Sequence, residues 1–516
     1  MVNLSKSHYT SFCQCPKNLW LSVRPQVSGI SPDDVKNSLE VRLEKGKEVG
    51  ELAKQLFPGT VDVSVKKADG NPDIGAMLAK TQQCLNDGTK VIAEAAFWHE
   101  GCYCAVDLLR REDDGWAIYE VKSTTDEDDK GKQKKFDKYL PDIAFQTWVL
   151  RQCGITVTGI NLVCLNRDYV RQGKLDIQQL FSIIDVCSDV QNELAKVPTL
   201  TPNAQQILVQ QQEPIVDLSE HCNKPYPCVF WEYCTRHLSK PSVFDVYGSS
   251  TGKGDLTFHF DKKLEHYHAG RVSYKDLIGQ PLGIVQRMQV ERKTQIDRNG
   301  IRKFLDGLSY PLYFLDFETM QDVVPQYDGT QPYQQIPFQY SLHVVDKADT
   351  ICDKQGYGYL ALSDGSDPRR ALAEDLCNHI PKGVCTLAYN MSFEKGRIKE
   401  LAKAFPDLSD HLIDIHDHII DLIEPFRAGQ YYLPAMGGSF SIKSVLPALF
   451  PNDPDLDYHN LPGTVHNGSE AMALFPEIAG KTPTEQAADR ESLLQYCNLD
   501  TWAMVKVWKK LQEVAR

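Results

Sequence analysis

A set of spaced cysteines constrains this chain more than any other feature, because four thiols can hold one metal centre. Cys222, Cys228 and Cys234 follow one another with five intervening residues each, inside the segment His221–His237, and Cys15 lies far upstream. In a reducing compartment such cysteines are expected to bind metal rather than to form disulfides. Ligands drawn from both ends of a region would hold that region closed.

An iron-sulfur cluster of the 4Fe-4S type is the cofactor that we expect at these four cysteines. Structural zinc is the main alternative, but zinc sites usually contain a C-x2-C pair, which this set lacks. Cys13 competes with Cys15 for the first ligand position, and the following Pro16 favours Cys15. Ordinary free thiols are the remaining interpretation, since the chain has 15 cysteines.

The chain is long enough for several domains with cores of their own. A length of 516 residues predicts two to four domains, and 42% hydrophobic with 24% charged residues is typical of a folded protein. We expect a clasped unit over 1–240, a helical connector over 241–307 and a second domain over 308–516.

The net charge of −13 requires any nucleic-acid site to be a local basic groove. The start lacks an apolar signal and no run is long enough to span a membrane, which predicts a cytoplasmic location without a membrane partner.

The first region contains a pattern of charged residues on predicted strands. Asp107 ends one strand, and Glu120 and Lys122 lie on the next, where alternation places both side chains on one face. Two carboxylates can hold a divalent metal, and a lysine beside them can stabilise charge on a phosphate oxygen. This arrangement of two carboxylates and a lysine is typical of the active site of a PD-(D/E)xK nuclease. Taken alone, an E-x-K on a strand is more often a solvated face.

With its cysteines, the first region resembles the iron-sulfur branch of the RecB-like nucleases, found in CRISPR adaptation and in AddAB-type helicase-nucleases. The resemblance implies Glu51, on a helix predicted over 35–57, as a further metal ligand, with Glu48 and Glu94 as substitutes. It also implies Gln146, on a helix after the E-x-K strand, as a substrate contact. The family often has tyrosine four residues after this glutamine, whereas this chain has leucine.

The second region also contains acidic residues on predicted strands and helices, but in different motifs. The strand PLYFLDFETM presents Asp316 and Glu318 on one face. A later strand and helix supply Glu394, and the C-terminal helix carries Tyr496 and Asp500 four residues apart on one side. Four carboxylates of this kind can bind two divalent ions that flank a phosphodiester, and the tyrosine would orient or deprotonate the attacking water.

In their order, these motifs resemble the DnaQ-like 3'-to-5' exonucleases. The chain departs from that family at Glu394, where aspartate is usual, and Asp421 is a substitute acid. Asn390 and Lys443 are further candidates for contacts with substrate. Ser439 and Ser441 would assist Lys443 at a substrate phosphate, although helix capping explains these serines equally well.

Nearly the whole chain resembles an uncharacterised bacterial family that fuses an iron-sulfur RecB-like nuclease domain to a DnaQ-like exonuclease domain. The resemblance implies a mixed α/β (α+β) fold with a PD-(D/E)xK core and an RNase H-like domain, and Mg²⁺ or Mn²⁺ as the catalytic metal. We expect a nuclease with two separate sites that acts on single-stranded DNA or DNA ends, with a helicase or another repair or defence protein as a candidate partner. RNA is an alternative substrate, and an iron-sulfur adaptor with degenerate nuclease sites that binds nucleic acid or senses redox state is an alternative function.

Overall fold

The protein has a mixed α/β fold that divides into two compact units. The computed structural model describes residues 4–29, 46–126, 136–248, 258–350 and 352–516. The first unit consists of Met1–His237 with Val323–Tyr333, and the second of Leu238–Asp322 with Gln334–Arg516. Residues 241–307, predicted as a connector, are thus part of the second unit. Within the described residues, no helix has the length and apolar character needed to cross a membrane.

The first unit contains one sheet and nine helices among its described residues. The strands are β1 (Leu4–Ser5), β2 (Val61–Asp62), β3 (Val91–His99), β4 (Cys102–Glu112), β5 (Gly115–Thr125), β6 (Val157–Leu165) and β7 (Phe181–Asp185). The helices are α1 (Lys6–Gln14), α2 (Pro16–Ser22), α3 (Pro25–Ser28), α4 (46–53), α5 (Ile74–Asn86), α6 (Leu140–Gln152), α7 (Ile177–Leu180), α8 (Gln191–Val209) and α9 (Trp231–Thr235).

The sheet of the first unit runs in the order β2-β3-β4-β5-β6-β7, and β1 pairs with the start of β4. The β3–β4 and β4–β5 pairs are antiparallel, whereas β5 and β6 are parallel. Helix α6 is apolar on nearly all sides, and its residues from Ile143 to Thr147 are buried. A helix with this pattern belongs in the interior, so its polar side chains are held inside the unit.

The second unit contains a five-stranded sheet, a small two-stranded sheet and eleven helices among its described residues. The strands are β8 (Gln295–Ile296), β9 (Leu312–Gln321), β10 (Gln335–Val345), β11 (Tyr357–Leu360), β12 (Cys385–Ala388), β13 (Ile419–Asp421) and β14 (Tyr431–Tyr432). The helices are α10 (Phe260–His268), α11 (Tyr274–Leu277), α12 (Ile284–Glu291), α13 (Arg298–Asp306), α14 (Arg369–His379), α15 (Ser392–Ala404), α16 (Ser409–Asp417), α17 (Glu424–Arg427), α18 (Ile442–Leu449), α19 (Gly468–Glu477) and α20 (Pro483–Ala515).

The larger sheet runs in the order β11-β10-β9-β12-β13, with β9 at its centre. Strand β9 is antiparallel to β10 and parallel to β12, which is parallel to β13. The long helix α20 packs along this sheet, and Trp508 near its end is fully buried against Phe314 of β9, with ring centroids 5.9 Å apart. Strand β9 therefore has neighbours on both sides and a helix on one face.

The predicted strands and helices that carry the site residues are present, but Asp107, which was predicted to end a strand, lies in the middle of β4 (Cys102–Glu112). The strand predicted to contain Asp107 is β4, the strand predicted to contain Glu120 and Lys122 is β5, and a two-residue turn joins Glu112 to Gly115 between them. The helix predicted over 35–57 is helical over 46–53, ends before the expected stop at Pro58, and lies outside the described residues over 35–45. Alternation and turn residues are local signals, which explains why these elements could be predicted.

Replacement of Trp508 by alanine should destabilise the second unit by about 3–5 kcal/mol, because a fully buried aromatic side chain leaves a cavity. Urea denaturation followed by circular dichroism measures the change. Leu362→Ala is the control, since Leu362 is 68% exposed and its truncation should change stability by about 0.5 kcal/mol or less. Equal effects of the two substitutions would contradict this account of the core.

Candidate functional sites

Three carboxylates of the first unit lie in one row across neighbouring strands. The β4–β5 register pairs Leu108 with Tyr119, so Asp107 and Glu120 occupy the next position along the two strands. The β3–β4 register places Glu94 opposite Asp107 in the same way. Glu94 has a φ of 57°, a left-handed conformation that costs energy for a residue other than glycine and often occurs at functional sites.

The backbone pairing of β4 with β5 ends just before this row. Beyond it, a side chain of β4 accepts a hydrogen bond from the backbone of β5. The carboxylate of Asp107 accepts a bond from the backbone nitrogen of Val121 at 2.7 Å. Strand β1 pairs with β4 nearby, with Ser5 opposite Tyr103, and helix α1 follows at once. This connection brings Lys6, the first residue of α1, to the carboxylates.

Two lysines neutralise the buried carboxylate of Glu120. The ammonium groups of Lys122 and Lys6 donate to its Oε1 at 2.7 and 3.1 Å. Lys6 also lies 3.6 Å from Asp107, and Lys122 donates to Asp142 of α6 at 2.8 Å. Gln146, one turn along α6 from Asp142, donates to Glu120 Oε2 at 2.8 Å and to Asp142 at 2.9 Å. The structure thus brings Asp107, Glu120, Lys122 and Gln146 together, as predicted.

The protonation of this group follows from burial and from the mixture of charges. Burial raises the pKa of Glu120 to about 7, and the charge of Asp107 acts in the same direction against Lys122 and Lys6. Burial would also raise the pKa of Asp142, but Lys122 and Lys6 hold it well below its usual range. Asp142 therefore stays ionised, whereas Glu120 gains or loses its proton near neutral pH.

Glu51, the predicted helical ligand, is not brought to this group. Its side chain is 71% exposed and bonds Lys54 at 2.6 Å. Glu94, named as its substitute, lies in the row, and burial raises its pKa while Lys6 lowers it. Lys6 and Asp142 were not predicted as site residues from the sequence. The four-residue spacing from Asp142 to Gln146 on one helix face was a usable signal for Asp142.

The segments that carry the four predicted cluster cysteines are joined to each other in the first unit. Cys15 lies between α1 and α2, and the other three lie in the loop and short helix α9 that follow Ser219. Gln14 donates to the carbonyls of His221 and Tyr226 at 3.0 and 2.8 Å, and Asn18 donates to the sulfur of Cys228 at 3.5 Å. The N-terminal helices are therefore bonded directly to the cysteine loop.

Cys15, and not Cys13, is the N-terminal member of this group. The pKa of Cys234 is raised to about 11, mainly by burial; the charge of Lys17 acts against this shift, and the charges of Cys228, Cys222 and Cys15 act with it. Burial and the charge of Cys15 likewise raise the pKa of Cys222 and Cys228. Cys13 instead bonds Tyr9, away from this group. The thiols of Cys222, Cys228 and Cys234 therefore stay protonated at neutral pH unless a cation binds them.

In the second unit, four acidic residues from one strand and two helices line a single cavity of about 460 Å³, the acid cavity. Asp316 and Glu318 come from β9, Glu394 from the first turn of α15, and Asp500 from α20. Glu394 is 3% exposed, and its buried Oε2 has no hydrogen-bond partner among the described residues. A carboxylate oxygen buried in this way is suited to a cation.

All four acids have raised pKa values, because they are buried beside one another. Burial raises the pKa of Asp316 well above its usual range, and the charges of Asp500, Glu394 and Glu318 add to the effect. The pKa of Glu318 is raised by burial and by Asp500. Burial takes the pKa of Glu394 to about 8 and that of Asp500 to about 6. The four carboxyls therefore cannot all be ionised without added positive charge.

Two tyrosines and a thiol lie beside the acids of the cavity. Tyr458 donates to the Oδ1 atom of Asp500 at 2.6 Å, and Tyr496 also bonds this carboxylate. Burial raises the pKa of Tyr496 far above its usual range, so its phenol is a proton donor at neutral pH. The sulfur of Cys497 lies within 4.8 Å of oxygens of Asp316 and Glu318. Burial keeps this thiol protonated by raising its pKa.

The remaining predicted residues occupy different positions. Lys443 lines the acid cavity, whereas Ser441 is the N-cap of α18 and makes no capping bond with its side chain. Asn390 lies between β12 and α15 with a φ of 69°, and its backbone nitrogen donates to Asp421 at 2.8 Å. Asp421 also accepts a bond from the nitrogen of Ile423 at 3.2 Å. Asp421 thus shapes the loop that carries Asn390. Tyr458 had no local sequence signal.

The stability of the metal-free second unit should fall as the pH rises from about 5 to 8.5. The folded-state pKa values of Asp500 and Glu394, about 6 and 8, exceed those of the unfolded chain. Their contribution is complete below the unfolded pKa and is lost as the pH rises through the folded pKa.

Added Mg²⁺ or Mn²⁺ should therefore raise the melting temperature more at pH 8.5 than at pH 6, as measured by scanning calorimetry. Glu394→Gln should reduce this pH dependence, and Asp410→Asn, at an exposed position of the same unit, should leave it unchanged. A metal-induced shift of equal size in wild type and in Glu394→Gln would show that the acid cavity does not bind the ion.

The comparisons with known proteins assign no activity to the chain. Residues 313–441 are similar to a family described as Domain of unknown function (DUF2779), and this stretch includes Asp316, Glu318 and Glu394. Neither a curated protein nor a solved structure matches the chain. Similarity over 313–441 thus relates β9 and α15 to a family whose description states no function.

Proposed function

We propose that the protein is a metal-dependent nuclease that hydrolyses phosphodiester bonds, with single-stranded DNA or DNA ends as the expected substrate. The acid cavity is the observation that carries this proposal. Asp316, Glu318, Glu394 and Asp500 converge there with raised pKa values, and one oxygen of Glu394 has no partner among the described residues. Carboxylates grouped in this way are the usual ligands of Mg²⁺ and Mn²⁺ in nucleases.

The four carboxylates of the acid cavity fit divalent metal ions by the chemistry of their donors, because hard oxygen ligands suit Mg²⁺ and Mn²⁺. The ions, when bound, would activate water and neutralise charge on the phosphate. The sheet order, in which β9 is central and α20 packs on it, is compatible with the RNase H-like class that the sequence resembles. This agreement supports a DnaQ-like 3'-to-5' exonuclease role for the second unit.

The side chains around the acids would position the reacting groups. Tyr496 would orient the attacking water as a hydrogen-bond donor, since its high pKa does not suit it as a base at neutral pH. Tyr458 holds Asp500 through the 2.6 Å hydrogen bond. Lys443, at the mouth of the cavity, would contact a phosphate oxygen of the substrate.

In the first unit, we propose a second hydrolytic site at Asp107, Glu120 and Lys122, with Glu94 and Asp142 as additional acids. The row of carboxylates would hold a divalent ion, and Lys122 would stabilise charge on a phosphate oxygen. Lys6 and Lys122 already neutralise Glu120, so a metal ion has to compete with these ammonium groups. We expect this site to need more metal than the acid cavity does.

The four thiols fit a 4Fe-4S cluster by their number and by their grouping. Bound there, the cluster would be structural, because Cys15 and the loop of the other three come from opposite ends of the first unit. Gln14 and Asn18 already join these two segments by hydrogen bonds. The cluster would add covalent ligation to the same junction.

Substitution of each site should remove a distinct part of the cleavage. The protein, purified without oxygen, is assayed with Mg²⁺ and with Mn²⁺ on labelled single-stranded DNA and RNA. Lys122→Ala and Asp316→Asn should each lower one set of products by on the order of hundredfold, because each removes charge stabilisation at one site. The preferred polymer identifies the substrate.

The matched controls are Lys196→Ala and Asp410→Asn, which change exposed residues of the respective units. Both should retain wild-type rates. Wild-type rates for Lys122→Ala and Asp316→Asn together would overturn the nuclease proposal for both units.

Cys15→Ala and Cys228→Ala should abolish cluster binding and unfold the first unit while the second unit stays folded. Cys13→Ala should retain the cluster, since Cys13 lies outside the group of four thiols. Visible absorbance and iron and zinc analysis measure which metal centre is bound, and scanning calorimetry measures whether each unit is folded. Zinc without iron in the wild-type protein would favour the structural zinc alternative, and full stability of Cys228→Ala would refute a structural role.

A second candidate function is favoured by the ion pairs of the first unit. Glu120 accepts bonds from two ammonium groups, which is the state expected of a site that no longer binds metal. The first unit would then be an iron-sulfur adaptor that binds nucleic acid or senses redox state. Unchanged cleavage by Lys122→Ala, together with retained binding of labelled DNA, would support this candidate.

A further inference from the structure

A second cavity lies beside the acid cavity within the second unit. This side cavity has a volume of about 800 Å³ and is formed by residues between Lys443 and Glu470. Its lining is mostly apolar, with Leu446, Phe450, Tyr458 and several prolines. A concave apolar cavity of this size that contains aromatic rings is typical of a binding site for a flat organic group.

The two cavities share part of their lining. Lys443 and Asn467 line both of them. Tyr458 lines the side cavity, and its hydroxyl donates to Asp500 in the acid cavity at 2.6 Å. Gly468, the first residue of α19, is so close to the acids that a Cβ atom there would lie 3.6 Å from Glu318 Oε2. A ligand that extends out of the acid cavity past Lys443 would therefore reach the side cavity.

The electrostatics of the side cavity favour an anionic ligand at one end. Three acidic residues of its lining already have a basic partner: Asp453 with Lys506, Asp457 with His459 and Glu470 with His466. Lys443 has no carboxylate within ion-pair distance among the described residues, and it stands where the two cavities meet. A phosphate at this junction would gain a cation without having to displace another anion.

We propose that the side cavity binds a nucleobase of single-stranded nucleic acid, from a nucleotide next to the scissile phosphate. This assignment rests on the proposed nuclease function of the second unit. The base would pack against Phe450 and Tyr458, and Lys443 would contact the phosphate between the two nucleotides. A base in a duplex would first have to leave its stack and its partner, so the cavity selects unpaired ends.

The test compares two substrates in the full chain carrying Lys122→Ala, so that the first unit does not contribute cleavage. A labelled thymidine oligonucleotide would occupy both cavities, whereas the p-nitrophenyl ester of thymidine 5'-phosphate has one nucleotide and would occupy the acid cavity alone. Phe450→Ala should lower the ratio of kcat/KM for the oligonucleotide to that for the ester about tenfold, through lost stacking.

A second variant keeps the test decisive if Phe450→Ala folds poorly. Asn452→Trp adds an indole at an exposed position of the side cavity, without disturbing the core, and should lower the same ratio by blocking the base. Leu362→Ala and Leu362→Trp are the matched controls, because Leu362 is exposed in the same unit and lines neither cavity. Thermal unfolding establishes that each variant is folded.

The outcomes separate the two proposals. Lowered ratios for the side-cavity variants with unchanged ratios for the controls support the nucleobase site. Unchanged ratios for Asn452→Trp and for folded Phe450→Ala overturn the nucleobase site and leave the nuclease function standing. A protein that hydrolyses neither substrate overturns the nuclease function of the second unit, and the nucleobase site with it.

Discussion

Buried carboxylates need a counter-charge or a proton, and both candidate sites are built around this requirement. In the second unit, Asp316, Glu318, Glu394 and Asp500 share one cavity, and their raised pKa values mean that protons are retained until cations arrive. In the first unit, two ammonium groups already supply the positive charge around Glu120. The same constraint thus has two solutions in one chain: the carboxylates of the first unit are paired with lysines of the unit itself, whereas those of the acid cavity retain protons.

Rigid sheets hold the acids in place, and buried polar contacts attach the helices that complete each site. In the second unit, Ser341 of β10 lies opposite Asp316 and bonds Thr501 of α20 at 2.8 Å. His343 bonds the same threonine at 2.8 Å, and Gln339 donates to the carbonyl of Leu493 at 2.8 Å. Because Thr501 is adjacent to Asp500, these contacts fix the helical acid relative to the strand acids. In the first unit, α6 is held inside the fold and presents Asp142 and Gln146 to Glu120.

The cysteine group and the carboxylate site of the first unit are connected through the N-terminal helices. These helices carry both Lys6, which pairs with the acids, and Cys15, which interacts with the other cysteines. Hydrogen bonds from Gln14 and Asn18 already fasten these helices to the cysteine loop. A cluster at the thiols would therefore also stabilise the position of Lys6. If a cluster binds at the cysteines, we expect its effect to reach Glu120 through the short segment that carries both Lys6 and Cys15.

Local patterns in the sequence were enough to predict the strands with E-x-K and D-x-E and the helix with Tyr496 and Asp500. The spacing of the cysteines was enough to predict which of them belong to one group. These signals work because alternation and helical periodicity fix which side chains share a face. They could not locate Lys6, Asp142 or Tyr458 in the sites, and they favoured Glu51, whose side chain is 71% exposed, over Glu94, which was named only as a substitute. Such positions depend on strand register and on contacts between distant segments, which are set by packing of the whole unit rather than by neighbours along the chain.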